Sequence, residues 1–212
     1  IGVALIVGAI YLRRWREKPS TMVRDLFGVE PDAWQRDVLD AFPARQRMAM
    51  KACKGPGKTT VLAWLCWNFL LTRPHPKIIA TSITGDNLAD GLWSEMAKWQ
   101  NKSALLLAAF EWAKTSIQAR DHRETWFMVA RTWPKSGNRQ QQADSLAGKH
   151  ADYMMFVLDE SGGIPDAVMA TAEGALASGI ETKILQAGNS THLEGPLYRA
   201  CTSEANLWHV TE

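Results

Sequence analysis

The sequence predicts an α/β fold in which a mainly parallel β-sheet is covered by helices on both faces. Three observations lead to this prediction. From about residue 46, short β-rich runs alternate with helical stretches. A glycine-rich turn ending in Gly-Lys-Thr joins the first run to an apolar helix, and a later run of six apolar residues ends in two adjacent carboxylates. Strands this apolar are usually covered on both faces.

The candidate strands are short and rich in β-branched, aromatic and methionine side chains. They lie at residues 48–52, 78–82, 125–130, 153–158, 183–186 and 207–210. Helices are predicted over residues 59–71, ended by Pro74 and Pro76, over 87–99 with Asp86 as the N-cap, and over 104–112. We expect residues 1–30 to form an N-terminal helical extension and residues 31–212 to form one P-loop domain.

Composition excludes several classes of protein. A chain that is 46% apolar and 22% charged has the material for a core and is not disordered. Its three cysteines lack Cys-x-x-Cys spacing, which excludes a disulfide framework and a cysteine zinc site. The apolar stretch over residues 1–12 is shorter than the ~20 residues that a spanning helix needs. Its basic residues follow it, unlike those of a signal peptide, so we expect no membrane association.

Charge and aromatic content do not identify a ligand. The net charge is +2, with +5 over residues 1–60 and −3 over the rest, which leaves nucleic-acid binding undecided. Ten tryptophans would suit a carbohydrate or base-stacking surface, but tryptophans are more often packing residues. We therefore expect most of them to lie in the core.

The stretch from Ala52 to Thr59 fits the phosphate-loop pattern G-x-x-x-x-G-K-[ST], except that Ala52 replaces the first glycine. Gly55 and Gly57 would let backbone N–H groups wrap a phosphate at a helix N-terminus. Lys58 would reach the β- and γ-phosphates of ATP, and the Thr59 hydroxyl would ligate Mg²⁺. Further nucleotide contacts are expected from Lys54, Pro56 and Thr60.

Asp159 and Glu160 end the apolar run that begins at Tyr153. A carboxylate at the end of a central strand can hold Mg²⁺, and the next one can polarise the attacking water. We therefore assign Asp159 to the metal and Glu160 to the general base. A base for water favours hydrolysis over kinase-type transfer. Together with the spare strands before Asp159, it indicates the additional-strand, catalytic-Glu type of P-loop NTPase.

Two further segments carry weaker signals. The Gln35 amide can donate to and accept from adenine, and the neighbouring Trp34 ring could stack on the base. Trp34 fits equally well on the apolar face of a helix. Asn189 follows a predicted strand, at the sheet edge where ligands bind, and could sense the γ-phosphate. An ordinary Gly-Asn turn would give the same sequence.

Together these segments resemble the ATPase domain of the large terminase subunit, the DNA-packaging motor of tailed bacteriophages. The resemblance runs from about Pro31 to Thr191 and includes the adenine motif, Walker A loop, second-strand segment, Walker B strand and coupling motif. In that order they are Trp34-Gln35, Lys54 to Thr59, Thr81 to Trp93, Phe156 to Ile164 and Gly188 to Ser190. Many members carry Arg where this chain has Lys54, which keeps the charge but not the bidentate fork.

The resemblance implies a ring of identical subunits in which a neighbour supplies an arginine finger. Arg139 and Arg131 are the candidates, with Arg120 and Arg123 as further options. It also implies double-stranded DNA, a small terminase subunit and a portal protein as partners, in host cytoplasm at the procapsid. Family members usually carry a nuclease domain after the ATPase domain, and we expect none in this chain because it ends at Glu212.

Two other functions fit the same motifs. One is a helicase-like ATPase that depends on nucleic acid, although the sequence lacks the motifs of a second lobe. The other is an assembly module that binds nucleotide without hydrolysing it, against which Glu160 argues. The sequence favours a Mg²⁺-dependent ATP hydrolase that drives DNA into a procapsid.

Overall fold

The computed structural model describes residues 2–133, 141, 151–189 and 191–212. Within them one eight-stranded sheet forms the centre of the molecule. Its strands are β1 (Arg47–Lys51), β2 (Lys77–Thr81), β3 (Phe110–Ala113), β4 (Ser116–Ala119), β5 (Phe127–Ala130), β6 (Tyr153–Leu158), β7 (Glu181–Gly188) and β8 (His209–Thr211). They are arranged in the order β3-β4-β5-β2-β6-β7-β1-β8. The six strands from β5 to β8 in this order are parallel, whereas β3 and β4 pair antiparallel.

The six predicted strands are all present, and the predicted α/β fold class is confirmed. β7 lies between β1, which leads into the glycine-rich loop, and β6, which ends at the two carboxylates. The sheet therefore has the additional strand that the sequence indicated. Because these three strands are parallel, the segments that follow them meet at one edge of the sheet.

Helices cover both faces of the sheet. The larger set consists of α1 (Gly2–Glu17), α2 (Pro19–Phe27), α3 (Ala33–Ala41), α4 (Lys58–Thr72), α5 (Gly85–Leu88), α6 (Ser94–Gln100) and α7 (Ala104–Ala109). Their apolar residues form one core, with α4 buried along most of its length. The opposite core packs beneath α8 (Asp166–Gly174) and α9 (Pro196–Cys201). Seven of the ten tryptophans are buried, which confirms the packing prediction.

Two helix predictions were wrong in their bounds. The helix predicted over residues 104–112 ends at Ala109, and Phe110 begins β3, an edge strand that pairs antiparallel with β4. The helix predicted over 87–99 begins at Gly85, because the Thr84 hydroxyl accepts from the Asn87 N–H and serves as the N-cap in place of Asp86. It also contains a π-helical turn at Ala89–Trp93. The predicted loop over 136–142 lies, apart from Gln141, outside the described residues.

The first two helices pack against the sheet domain. In α1, the Trp15 indole N–H donates to Asp25 of α2 at 2.9 Å, and the Trp15 carbonyl accepts from Asn68 of α4 at 2.8 Å. Among the described residues, no helix is both long and apolar enough to cross a bilayer.

Glu181 at the start of β7 joins these layers through two arginines. It accepts a bidentate pair of bonds from Arg73, at 2.7 and 3.1 Å, and one bond from Arg16 of α1 at 2.9 Å. The Arg73 side chain is 1% exposed. A buried guanidinium needs its carboxylate, because an unpaired buried charge costs several kcal/mol.

Glu181→Ala should therefore lower the free energy of unfolding by about 3–5 kcal/mol, since it leaves Arg73 buried without its carboxylate. The matched control is Glu17→Ala, which removes an exposed ion pair with Arg13 and should cost less than about 0.5 kcal/mol. Urea denaturation of both variants measures the difference. Equal losses would contradict the structural role assigned to Glu181.

Candidate functional site

The glycine-rich loop connects β1 to α4 in a backbone conformation that only glycine adopts easily. Gly55 and Gly57 have φ angles of +101° and +96°, in the left-handed region. Gly57 is the N-cap residue of α4. The loop therefore places its backbone beside the N-terminus of α4, the arrangement that binds phosphate in P-loop proteins.

Lys58, the first residue of α4, is 8% exposed and turns its ammonium back over the loop. Its Nζ donates to the carbonyl oxygens of Ala52 and Cys53 at 2.9 and 2.6 Å, and to Asn189 Oδ1 at 3.0 Å. The third bond joins the loop to the residue that directly follows β7. The structure therefore brings together Lys58 and Asn189, which are 131 residues apart in the sequence.

Asp159 directly follows β6 and is only 4% exposed. Burial, and next the neighbouring charge of Glu160, raise the pKa of Asp159 to about 6. A hydrogen bond from the Glu160 backbone N–H, the positive charge of Lys58 and the Thr59 hydroxyl oppose that rise. A carboxylate held at such a cost is typical of a functional site.

The oxygens of Thr59 and Asp159 suit Mg²⁺, because this cation prefers hard oxygen ligands. Their side chains are hydrogen-bonded to each other, so both ligands face the same point. Across the part of the chain that the structure describes, no three His, Cys, Asp or Glu residues group as a metal site. A cation beside Thr59 and Asp159 would therefore complete its shell with water or with nucleotide phosphate, as Mg²⁺ usually does.

Glu160 has a φ angle of +53°, which is uncommon for a residue with a side chain. Its N–H donates to Asp159 Oδ1 at 3.0 Å, and its side chain is half-buried. Gly188 at the end of β7 packs against the turn that follows, since a Cβ there would lie 3.1 Å from the Ser161 nitrogen. The carboxylate turn and the Asn189 segment are therefore in direct contact.

Gln35 contacts the loop, although its amide is already used within its own helix. Its Oε1 accepts from the Asp32 N–H at 3.0 Å and completes a capping box at the start of α3. Its Nε2 would lie 2.9 Å from a Cβ at Gly57. Trp34 lines a pocket of about 260 Å³ together with Pro56 and Lys58. The adenine contacts predicted for Trp34 and Gln35 remain predictions.

The other predicted site residues lie in different surroundings. The Thr60 hydroxyl donates to Glu95 of α6 at 3.0 Å, and Lys54 is exposed on the loop. Arg131 is exposed directly after β5, at the same sheet edge as Asp159. Arg139 lies outside the described residues.

The two further arginine options lie away from this edge. Arg120 and Arg123 follow β4, which runs antiparallel to β5 and therefore ends at the opposite edge of the sheet. Both form ion pairs with Glu111, at 3.4 and 2.7 Å.

Two residues that sequence reasoning missed contact the predicted metal ligands and loop helix. Gly91, in the π-helical turn, lies against the Asp159 carboxylate, and Glu95 accepts the Thr60 hydroxyl bond. No motif or spacing links either residue to the loop, because the contacts arise only when the helix packs on α4.

The raised pKa of Asp159 predicts how stability depends on pH. Below about pH 6 the buried carboxyl is protonated, and as pH rises through 6 the folded protein must hold a desolvated charge. Asp159→Asn should therefore stabilise the protein at pH 8 by up to about 3 kcal/mol, and little at pH 4. Denaturation in EDTA measures this, with the exposed Asp121→Asn as control. Equal stabilities at pH 8 would contradict the raised pKa.

No profile of a known protein family matches the chain. The probable terminase large subunit of Enterobacteria phage P7 is 24% identical to it over 202 residues, covering 87% of this chain. The chain spans 39% of the length of that protein.

Three solved structures have a similar fold. The large terminase of bacteriophage HK97 superposes with a TM-score of 0.61 and 17% identity, covering 87% of this chain and 40% of that one. An ATPase-domain mutant of the Thermus phage P74-26 large terminase gives 0.58 and 17%, with 84% and 72% covered. A large terminase of a thermophilic bacteriophage in complex with ADP gives 0.58 and 12%, with 84% and 43% covered. In fold, and over most of its sequence, the chain therefore resembles the ATPase domain of phage large terminase subunits.

Proposed function

We propose that the chain is the Mg²⁺-dependent, ATP-hydrolysing motor domain of a viral terminase large subunit. In this role it couples ATP hydrolysis to the translocation of double-stranded DNA into a procapsid. The observation that carries the proposal is the convergence of Lys58, Asn189, Thr59 and Asp159 at one sheet edge. The similarity to large terminases supplies the DNA-packaging context.

The residues divide the chemistry among them. ATP with Mg²⁺ would supply the γ-phosphoryl group and a metal charge beside it. The loop amides around Gly55 and Gly57, with Lys58, would hold the phosphates. Thr59 and Asp159 would hold the metal. Glu160, beside Asp159 in a half-buried position, would orient the attacking water and accept its proton.

Asn189 is placed to transmit the loss of the γ-phosphate. It bonds the Lys58 ammonium, and the backbone before it packs on the Glu160 turn through Gly188. When Lys58 binds phosphate its bonding partners change, so the bond to Asn189 reports the state of the nucleotide. The segment 191–195 and α9 follow directly, and they would carry that change toward DNA.

The assembled state follows from the same proposal. The chain would act as a homo-oligomeric ring with a small terminase subunit, a portal protein and double-stranded DNA, in host cytoplasm at the procapsid. Arg131 or Arg139 of a neighbouring subunit would serve as the arginine finger. Arg131 supports this role because it is exposed at the edge that carries the site.

Lys58→Ala should abolish ATP binding and turnover, because it removes the ammonium that holds the phosphates. Glu160→Gln should lower turnover by about 100-fold or more while ATP binding stays close to that of the wild type. Phosphate release and equilibrium ATP binding, measured over a range of protein concentrations, separate the two effects. Glu124→Gln, on the opposite sheet edge, is the control. Undiminished phosphate release by either site variant would refute the assignment.

The cysteines give an independent test of the loop. Cys53 is exposed within it, whereas Cys66 is buried and Cys201 is partly buried. Burial raises the pKa of both of these thiols, which makes them poor nucleophiles. Iodoacetamide should therefore label Cys53 first and inhibit ATP binding, and saturating ATP should slow that labelling. Mass spectrometry identifies the labelled site, and a Cys53 labelling rate unaffected by ATP would contradict phosphate binding at this loop.

A further inference from the structure

A bent helical run follows β2 and extends from Gly85 to Gln100. It consists of α5, the π-helical turn Ala89–Trp93 and α6. A π-helical turn holds an extra residue, so it changes which residues face inward, and such turns are frequent at functional sites. Here the turn faces the strand end that carries Asp159.

Gly91 is the point of contact between the π-helical turn and the predicted metal site. A Cβ built on Gly91 would lie 3.3 Å from Asp159 Oδ2, closer than ordinary van der Waals contact. The φ angle of Gly91 is not positive, so backbone conformation does not explain the glycine. The absence of a side chain lets the helix approach the carboxylate and confine it on that side.

Glu95, one helical turn later, fixes the same run to α4. Its Oε2 accepts from the Thr60 hydroxyl at 3.0 Å and from the Trp99 indole at 2.9 Å, and its Oε1 accepts from Lys98 at 2.9 Å. Trp99 packs edge-on against Trp64 of α4, with ring centroids 5.1 Å apart. The contact with α4 therefore begins at Thr60, directly after Thr59.

We propose that the helical run 85–100 is a positioning element for Mg²⁺, with Gly91 and Glu95 as positioning residues that set how Thr59 and Asp159 face each other. This inference rests on the proposed function, because Thr59 and Asp159 are the ligands proposed there. The two ligands belong to different elements, α4 and the end of β6, and the run contacts both. Mg²⁺ requires near-ideal octahedral geometry, so shifts of a few tenths of an ångström reduce its affinity.

The test compares ATP binding with Mg²⁺ and ATP binding in EDTA, measured by calorimetry on the whole chain. Gly91→Ala should leave the affinity in EDTA unchanged and lower the gain from Mg²⁺ by about 10-fold, the size typical of outer-shell substitutions. The matched control is Gly174→Ala in α8, where an added Cβ meets no atom within 4 Å. This control should leave both affinities unchanged.

Glu95 provides a second arm that does not depend on how well Gly91→Ala folds. Glu95→Ala should also lower the gain from Mg²⁺, whereas Glu95→Gln keeps an acceptor for Thr60 and should restore most of it. A merely structural role would lower the melting temperature of these variants without changing the ratio of the two affinities.

The outcomes separate the two proposals. A wild-type chain that does not bind ATP would overturn the proposed function, and this inference with it. A wild-type chain with a clear gain from Mg²⁺, together with unchanged gains in Gly91→Ala and Glu95→Ala, would overturn the positioning role alone. A reduced gain in Glu95→Ala that Glu95→Gln restores would support it.

Discussion

The backbone pairing of β7 with both β1 and β6 is the constraint on which the site depends. Because the three strands are parallel and adjacent, the loop before α4, the carboxylate turn and Asn189 all leave the sheet at one edge. Gly188 lets the β7 end approach the turn after Glu160 more closely than any side chain would permit. The short bond between Lys58 and Asn189 is a consequence of this register.

The same arrangement places unfavourable charge and conformation in one small volume. Asp159 is nearly fully buried, Lys58 is buried above the loop, and Glu160 has a left-handed backbone. Each of these features costs free energy that the surrounding sheet must offset. The covering helices meet that need with apolar packing around α4 and with the paired charges of Arg73 and Glu181.

Sequence patterns identified the features that are local in the chain. The strand from Tyr153 to Leu158 was predicted with its observed bounds, because six apolar residues before two carboxylates have few other interpretations. The loop before α4 was found from its glycines. The strand β3 was missed, because a short apolar run after a helix does not show whether it continues as helix or pairs with a later strand. Its partner β4 decides that, through antiparallel pairing.

The contacts around the site were less accessible to sequence reasoning than the motifs themselves. Gly91 and Glu95 lie in a helix whose periodicity shows that it packs but not on which residues. Gln35 was noted for its amide, yet its use in the capping box follows from the start of α3 at Ala33. Such details depend on how separate elements meet in three dimensions.

The antiparallel strands have a consequence for solubility. They place β3, only four residues long, at one outer edge of the sheet, while the three-residue β8 forms the other. Glu111 of β3 is paired with Arg120 and Arg123, and Glu212 beside β8 is paired with Lys51. Short edges that carry charge offer little template for a strand from another molecule. The apolar central strands are therefore shielded from edge-to-edge aggregation when many copies are crowded together.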